Sequence, residues 1–156
     1  MQTRDSVRTW VRSAGARAGD FPPRFLFTDA VFPARKYMRT RVILVEDIPA
    51  IQTSLTAAMI HAANVEVVAV VETAEEAIEA AATRGWDVMV VDLFLRSGTG
   101  LAVLTALRRD ASRQRVLVLT NHATLQIRQQ CHSLGADAVF DKSEELDRFL
   151  SSLALG

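Results

Sequence analysis

Five residues in this sequence have the types needed to handle a phosphoryl group together: the adjacent acids Glu46 and Asp47, the acid Asp92, the hydroxyl of Thr120 and the ammonium of Lys142. Each lies at the end of a short aliphatic run: Val42 to Val45 before Glu46, Val88 to Val91 before Asp92, Val116 to Leu119 before Thr120, and Ala138 to Phe140 before Lys142. Three carboxylates within a few ångströms repel one another and raise each other's pKa unless a cation sits among them. A hard divalent cation meets that need. Mg2+ takes oxygen ligands, commonly one or two carboxylates with a phosphate oxygen, and keeps several waters. Asp47 and Asp92 are expected as direct ligands and Glu46 through water. With phosphoryl charge neutralised by Mg2+ and Lys142, Asp92 can attack phosphorus in line as a carboxylate nucleophile, giving an aspartyl phosphate. A hydrogen bond from Thr120 to a phosphoryl oxygen would then move its loop and the neighbouring face.

These residues converge only if the runs that carry them are neighbouring strands. Arg41 to Val45 reads as a buried parallel strand, being aliphatic, β-branched and bounded by polar residues. Pro49 suits the first turn of a helix reaching about His61, with Ile51, Leu55, Ala58, Met59 and Ala62 at spacings of three and four. Further strands are expected at Val65 to Val71, Asp87 to Val91, Arg115 to Leu119 and Ala138 to Phe140. Helices are expected at Ala74 to Arg84, Leu101 to Arg109, Leu125 to Leu134 and Leu146 to Leu153, with Gly85 and Gly135 as stops that use glycine's φ freedom. Strands alternating with helices of about ten residues imply right-handed crossovers and a parallel α/β sheet covered on both faces. In such sheets ligands bind beyond the carboxyl ends of the strands, where all five residues fall.

Glu46-Asp47, Asp92, Thr120 and Lys142, with Asp92-Leu93 and Gly98-Thr99-Gly100-Leu101 between them, resemble the acidic pair, phosphoacceptor, switch hydroxyl and lysine of response-regulator receiver domains. The resemblance covers roughly residues 40–155. It implies a flavodoxin-like fold of strand order 2-1-3-4-5, and the backbone carbonyl of Phe94 as a further Mg2+ ligand. It also implies a sensor histidine kinase or histidine phosphotransfer protein as donor, an unidentified downstream protein target, and a monomer or a phosphorylation-dependent dimer. Two departures stand out. Val139 occupies a position where many receivers carry an aromatic switch residue; Phe140, one residue on, should face the other side of the strand. Ser143 replaces the proline that usually follows the lysine, so the cis peptide found there in many receivers is not assured. The runs Phe140-Asp141-Lys142-Ser143 and Leu119-Thr120-Asn121 resemble a subgroup of mostly stand-alone receivers.

Composition narrows the function classes. Residues 1–40 hold 8 Arg and Lys against 3 Asp and Glu, whereas residues 41–156 hold 10 against 15. The acidic portion gives no reason to expect nucleic-acid binding, which needs clustered basic residues. Its apolar runs are far shorter than the roughly 20 residues of a membrane helix. The single cysteine, Cys131, excludes an intrachain disulfide and suits a reducing cytoplasm; it is read as a packing residue. Residues 1–39, rich in Arg, Gly and Pro, read as a disordered basic extension ahead of a domain at 40–156, or as a mis-assigned start with translation from Met38. A basic arm touching an acidic partner and a targeting peptide rank below these.

The expected function is a stand-alone response regulator, because the chain ends just after the fifth helix, at Leu155-Gly156. It would act as a phosphoacceptor that catalyses its own phosphorylation and slow dephosphorylation, with output by conformational change, onward phosphotransfer or a phosphate sink. The rival readings are a receiver-like interaction module that is never phosphorylated, and a Mg2+-dependent phosphohydrolase. The latter usually carries a second acid two residues after its nucleophile, where this chain has Phe94. Phe94 and His122 each lie two residues past a site residue and are expected to border the acyl phosphate, Phe94 shielding it from water. His61, His122 and His132 are assigned no metal or phosphohistidine role, and Glu75, Glu76 and Glu79 are read as a solvated helix face.

Overall fold

The computed structural model describes residues 39–110 and 113–154. The expectations for residues 1–38 and for the chain end at residues 155–156 lie outside the described residues. Five strands, β1 Thr40–Val45, β2 Val65–Val71, β3 Val88–Val91, β4 Arg115–Thr120 and β5 Ala138–Asp141, alternate with five helices. These are α1 Pro49–Ala62, α2 Ala74–Thr83, α3 Gly100–Ala106, α4 Leu125–Ser133 and α5 Leu146–Ala154. All strand pairs are parallel, in the order β2-β1-β3-β4-β5, which is the flavodoxin-like topology.

Strand alternation distributes the core between two layers. Ile43, Val45, Met89, Val91, Val118 and Val139 point to one face and pack with Ala77 of α2, Val103 of α3 and Cys131 of α4. Val42, Leu44, Val90, Leu119 and Phe140 point to the other, against Leu55 and Met59 of α1 and Phe149 and Leu153 of α5. Covering on both faces is what makes continuous aliphatic runs the right sequence for these strands. Phe140 therefore faces away from Val139, as alternation requires, and its ring meets Phe149 edge to face at 5.8 Å. Phe149 is fully buried. Truncation to Ala should destabilise the domain by about 3–5 kcal/mol, read as a lower urea midpoint with an unchanged denaturant slope.

β1 and β2 change register between Val42 and Ile43, which leaves Val68 as the extra residue of a bulge. The Arg84 guanidinium donates to the Val68 carbonyl at 3.1 Å. On α2, Thr73 and Glu76 form a reciprocal capping box, so Glu76 does more than solvate a face, while Glu75 and Glu79 are exposed as expected.

Two sequence expectations need correction. Gly85 does not use a positive φ; among the described residues only Gly98 (77°) and Gly135 (96°) do. A Cβ at Gly85 would meet the Arg41 guanidinium, the far end of an exposed side chain that can move aside. The third helix stops at Ala106 instead of running to Arg109. Arg109 is drawn back by hydrogen bonds to the Gln114 carbonyl at 2.7 Å, to Asp137 at 2.8 Å and to the Gly135 carbonyl at 2.7 Å. A helix continued through Arg109 would forfeit this charge-assisted clamp.

Candidate functional site

The site is built by letting the backbone ladder run one residue past the strand ends. Glu46 N–H donates to the Val71 carbonyl, Asp92 N–H to the Val45 carbonyl and Lys142 N–H to the Thr120 carbonyl, each at 3.0 Å. Residues far apart in sequence are thereby held side by side at one edge of the sheet. Glu46, Asp92 and Thr120 are the three buried polar or charged side chains among the described residues.

Lys142 Nζ donates to Glu46 Oε2 at 2.6 Å and to Asp92 Oδ2 at 2.7 Å. With side-chain exposures of 10%, 1% and 8%, these ion pairs are shielded from water and far less screened than a surface bridge. The second Glu46 oxygen accepts the Ile48 N–H at 3.1 Å, and Phe94 N–H donates to Asp92 Oδ1 at 3.4 Å. Gln52, one turn into α1, donates to the Glu46 backbone carbonyl at 2.7 Å and so braces the loop that presents Asp47. Nothing in the sequence marked Gln52, because its partner is a backbone atom six residues away. Oxygens of Glu46, Asp47 and Asp92 all lie within 4.8 Å of one another. Three acids cluster around one ammonium that pairs with two of them, and the donors are all oxygen. That charge imbalance and donor set fit a hard divalent cation. Thr120 Oγ1 is buried without a hydrogen-bond partner, and such a donor has unused capacity for an acceptor brought into the site.

Glycines shape the loop after β3. Gly98 takes a positive φ, and a Cβ on it would lie 2.5 Å from that of Ala74. A Cβ on Gly100 would collide with the Asp92 carbonyl and come within 2.8 Å of Leu93 Cα. The loop is pinned to the start of α2 by the Ala74 N–H donating to the Ser97 carbonyl at 3.1 Å and by an Arg96–Glu72 ion pair. The structure thus brings Glu46, Asp47, Asp92 and Lys142 together and sets Thr120 beside Lys142 through the backbone. It also places the rings of Phe94 and His122 at 5.0 Å, tilted by 56°. Phe94 is 56% exposed and His122 is exposed too, so this ring pair forms a rim at the surface, two residues past Asp92 and Thr120. A crevice of about 340 Å³ lined by Ile51, Leu55, Asn121, Lys142, Ser143 and Leu146 opens beside the lysine.

The other singled-out residues have structural surroundings. His61 is exposed, and His132 Nδ1 lies 2.9 Å from the Ala136 carbonyl. Cys131 is fully buried in the core, and burial pushes its thiol pKa up. No cis peptide bond occurs among the described residues, and none of their helices is long and apolar enough to cross a membrane.

Residues 42–154 match the family model described as response regulator receiver domain. The nitrate/nitrite response regulator protein homolog of Haemophilus influenzae is 29% identical over 115 residues, covering 74% of this chain and 55% of that protein. The chain therefore spans about half the length of this curated relative. Among solved structures, a Burkholderia pseudomallei response regulator with a phosphorylated aspartic acid, calcium ion and citrate is similar at TM-score 0.64 and 23% identity, covering 73% of this chain and 66% of that one. The receiver domain of a Pseudomonas aeruginosa sensor histidine kinase, with magnesium coordinated in its active-site cleft, is similar at TM-score 0.62 and 23% identity, covering 76% of this chain and 100% of that one. At these identities the two structural likenesses bear on the fold.

Proposed function

The chain belongs to the response regulator receiver domain family, and from that premise we propose that Asp92 accepts a phosphoryl group from a phosphohistidine donor in a Mg2+-dependent reaction, the protein signalling by the change of shape that follows. The observation that carries this reading is the Lys142 ammonium bonded at once to the buried carboxylates of Glu46 and Asp92. The magnesium of the Pseudomonas receiver and the phosphorylated aspartic acid of the Burkholderia protein support it by analogy.

Glu46, Asp47, Asp92 and the Phe94 backbone carbonyl would hold Mg2+, which when bound supplies positive charge against the phosphoryl oxygens. Asp92 supplies the nucleophile: a carboxylate oxygen forms the new O–P bond as the P–N bond of the donor breaks, and that bond's electron pair stays on the imidazole nitrogen. Lys142 transfers a hydrogen bond from Asp92 to a phosphoryl oxygen, and the Thr120 hydroxyl donates to another. The protein is then a phosphoacceptor that catalyses its own modification. Its partners are a sensor histidine kinase or a histidine phosphotransfer protein and a downstream protein.

The experiment is intact-mass measurement after incubation with acetyl phosphate, with and without Mg2+. A phosphoryl increment that requires Mg2+ supports the reading, whereas no increment under either condition favours an unphosphorylated interaction module. The Phe94 rim adds a kinetic prediction. Phe94→Asn exchanges an apolar screen for a side chain that can hold water near the acyl phosphate. Dephosphorylation should be about tenfold faster, a barrier change of roughly 1.4 kcal/mol. An unchanged decay of the phosphorylated mass would remove the shielding role.

A further inference from the structure

Arg128 lies in the first half of α4 and uses all three of its guanidinium nitrogens on three different segments. Nε donates to the Ala123 carbonyl at 2.9 Å, in the loop that leaves Thr120. Nη1 donates to the Val139 carbonyl of β5. Nη2 donates to Glu145 Oε2 at 2.5 Å, immediately before α5. Glu145 is fixed in turn, accepting the Asp141 N–H at 2.9 Å and a hydrogen bond from Arg148 at 2.5 Å. The Arg128 guanidinium, and after it the Asp141 N–H, hold the Glu145 carboxyl below the ordinary carboxylate range.

One side chain thereby joins backbone three residues after Thr120 to backbone three residues before Lys142. The Val139 side chain is buried in the core, so position 139 contributes to this junction through its carbonyl. A planar guanidinium bonded on all sides is stiff, and short charge-assisted bonds do not stretch with a moving loop. A displacement of residues 121–124 must carry β5 and the start of α5 with it, or break a bond.

We propose that Arg128, acting through Glu145, is the positioning residue that transmits movement of the Thr120 loop to β5 and the start of α5. This rests on the reading of Asp92 as phosphoacceptor. It names a specific route through which an event at the phosphorylation site reaches the surface formed by α4, β5 and α5.

Hydrogen exchange by mass spectrometry on the full chain, with acetyl phosphate and Mg2+, tests it, phosphoryl uptake being read first on the intact mass of the same samples. In the wild type, phosphorylation should change exchange in residues 121–133 and in residues 141–150. Arg128→Ala should gain the same phosphoryl mass and keep the change in 121–133. Its change in 141–150 should shrink by at least about fivefold, the lower end of ordinary coupling between sites. Glu145→Gln, which keeps the shape and loses the charge, should do the same, and it carries the test if Arg128→Ala loses protection throughout β1 and β3. Changes in 141–150 equal to wild type in a folded variant overturn the route. A wild type that gains no phosphoryl mass removes the premise and the route with it, and is recognised before exchange is measured.

Discussion

Asp92→Ala should show no phosphoryl increment from acetyl phosphate at any Mg2+ concentration while keeping its fold. The chemical half of this expectation is all-or-none, because the carboxylate oxygen that would form the O–P bond is gone. The structural half follows from charge. Removing one of three clustered acids lowers their mutual repulsion and leaves Lys142 paired with Glu46. Intact mass and urea unfolding on one preparation check both halves. Labelling of the variant to the wild-type extent would place the phosphoacceptor elsewhere.

Lys142→Ala should have the opposite profile, a stability defect that Mg2+ relieves. In the native site one ammonium serves two carboxylates whose side chains are 1% and 8% exposed. Taking away one member of a buried ion pair leaves uncompensated charge, with a typical destabilisation of about 3–5 kcal/mol. Binding of a divalent cation to the native state alone restores counter-charge and stability by mass action. The urea midpoint of the variant should therefore rise with added Mg2+ more steeply than that of the wild type. Its phosphorylation-dependent change in hydrogen exchange should be weaker as well. A variant as stable as wild type without divalent cation would show that Lys142 is not the counter-ion of this cluster.

The contrast between what the sequence disclosed and what it withheld follows from how far each determinant reaches. Buried parallel strands demand unbroken aliphatic runs, so β1, β3 and β4 could be read from Val42 to Val45, Val88 to Val91 and Val116 to Leu119. Once those runs are strands of a parallel sheet, Glu46, Asp92 and Thr120 have to share its carboxyl edge. Phe94 and His122 were assigned to the same border because each sits two residues beyond such a position, and the structure adds that their rings meet. The end of α3, the bracing by Gln52 and the Arg128–Glu145 junction were not. Arg109, Gln52 and Arg128 all bond backbone carbonyls, and any residue supplies one of those. Gly85 was read by its commonest use, φ freedom, which its backbone does not take up.

The form of β2 and β5 also bears on how copies of this protein meet. These strands are the sheet's outer margins, where unpaired peptide groups can template a strand from another molecule. At one margin a guanidinium occupies the carbonyl of Val68, and at the other a guanidinium occupies that of Val139 while the Glu145 carboxylate takes the Asp141 N–H. A foreign strand adding at β2 would meet a bulge, and at β5 it would find an edge strand of only four residues, both of which blunt strand addition. The sheet is thus guarded against growing by edge-to-edge addition, and among the described residues the helical faces are the surfaces on which self-association can be built.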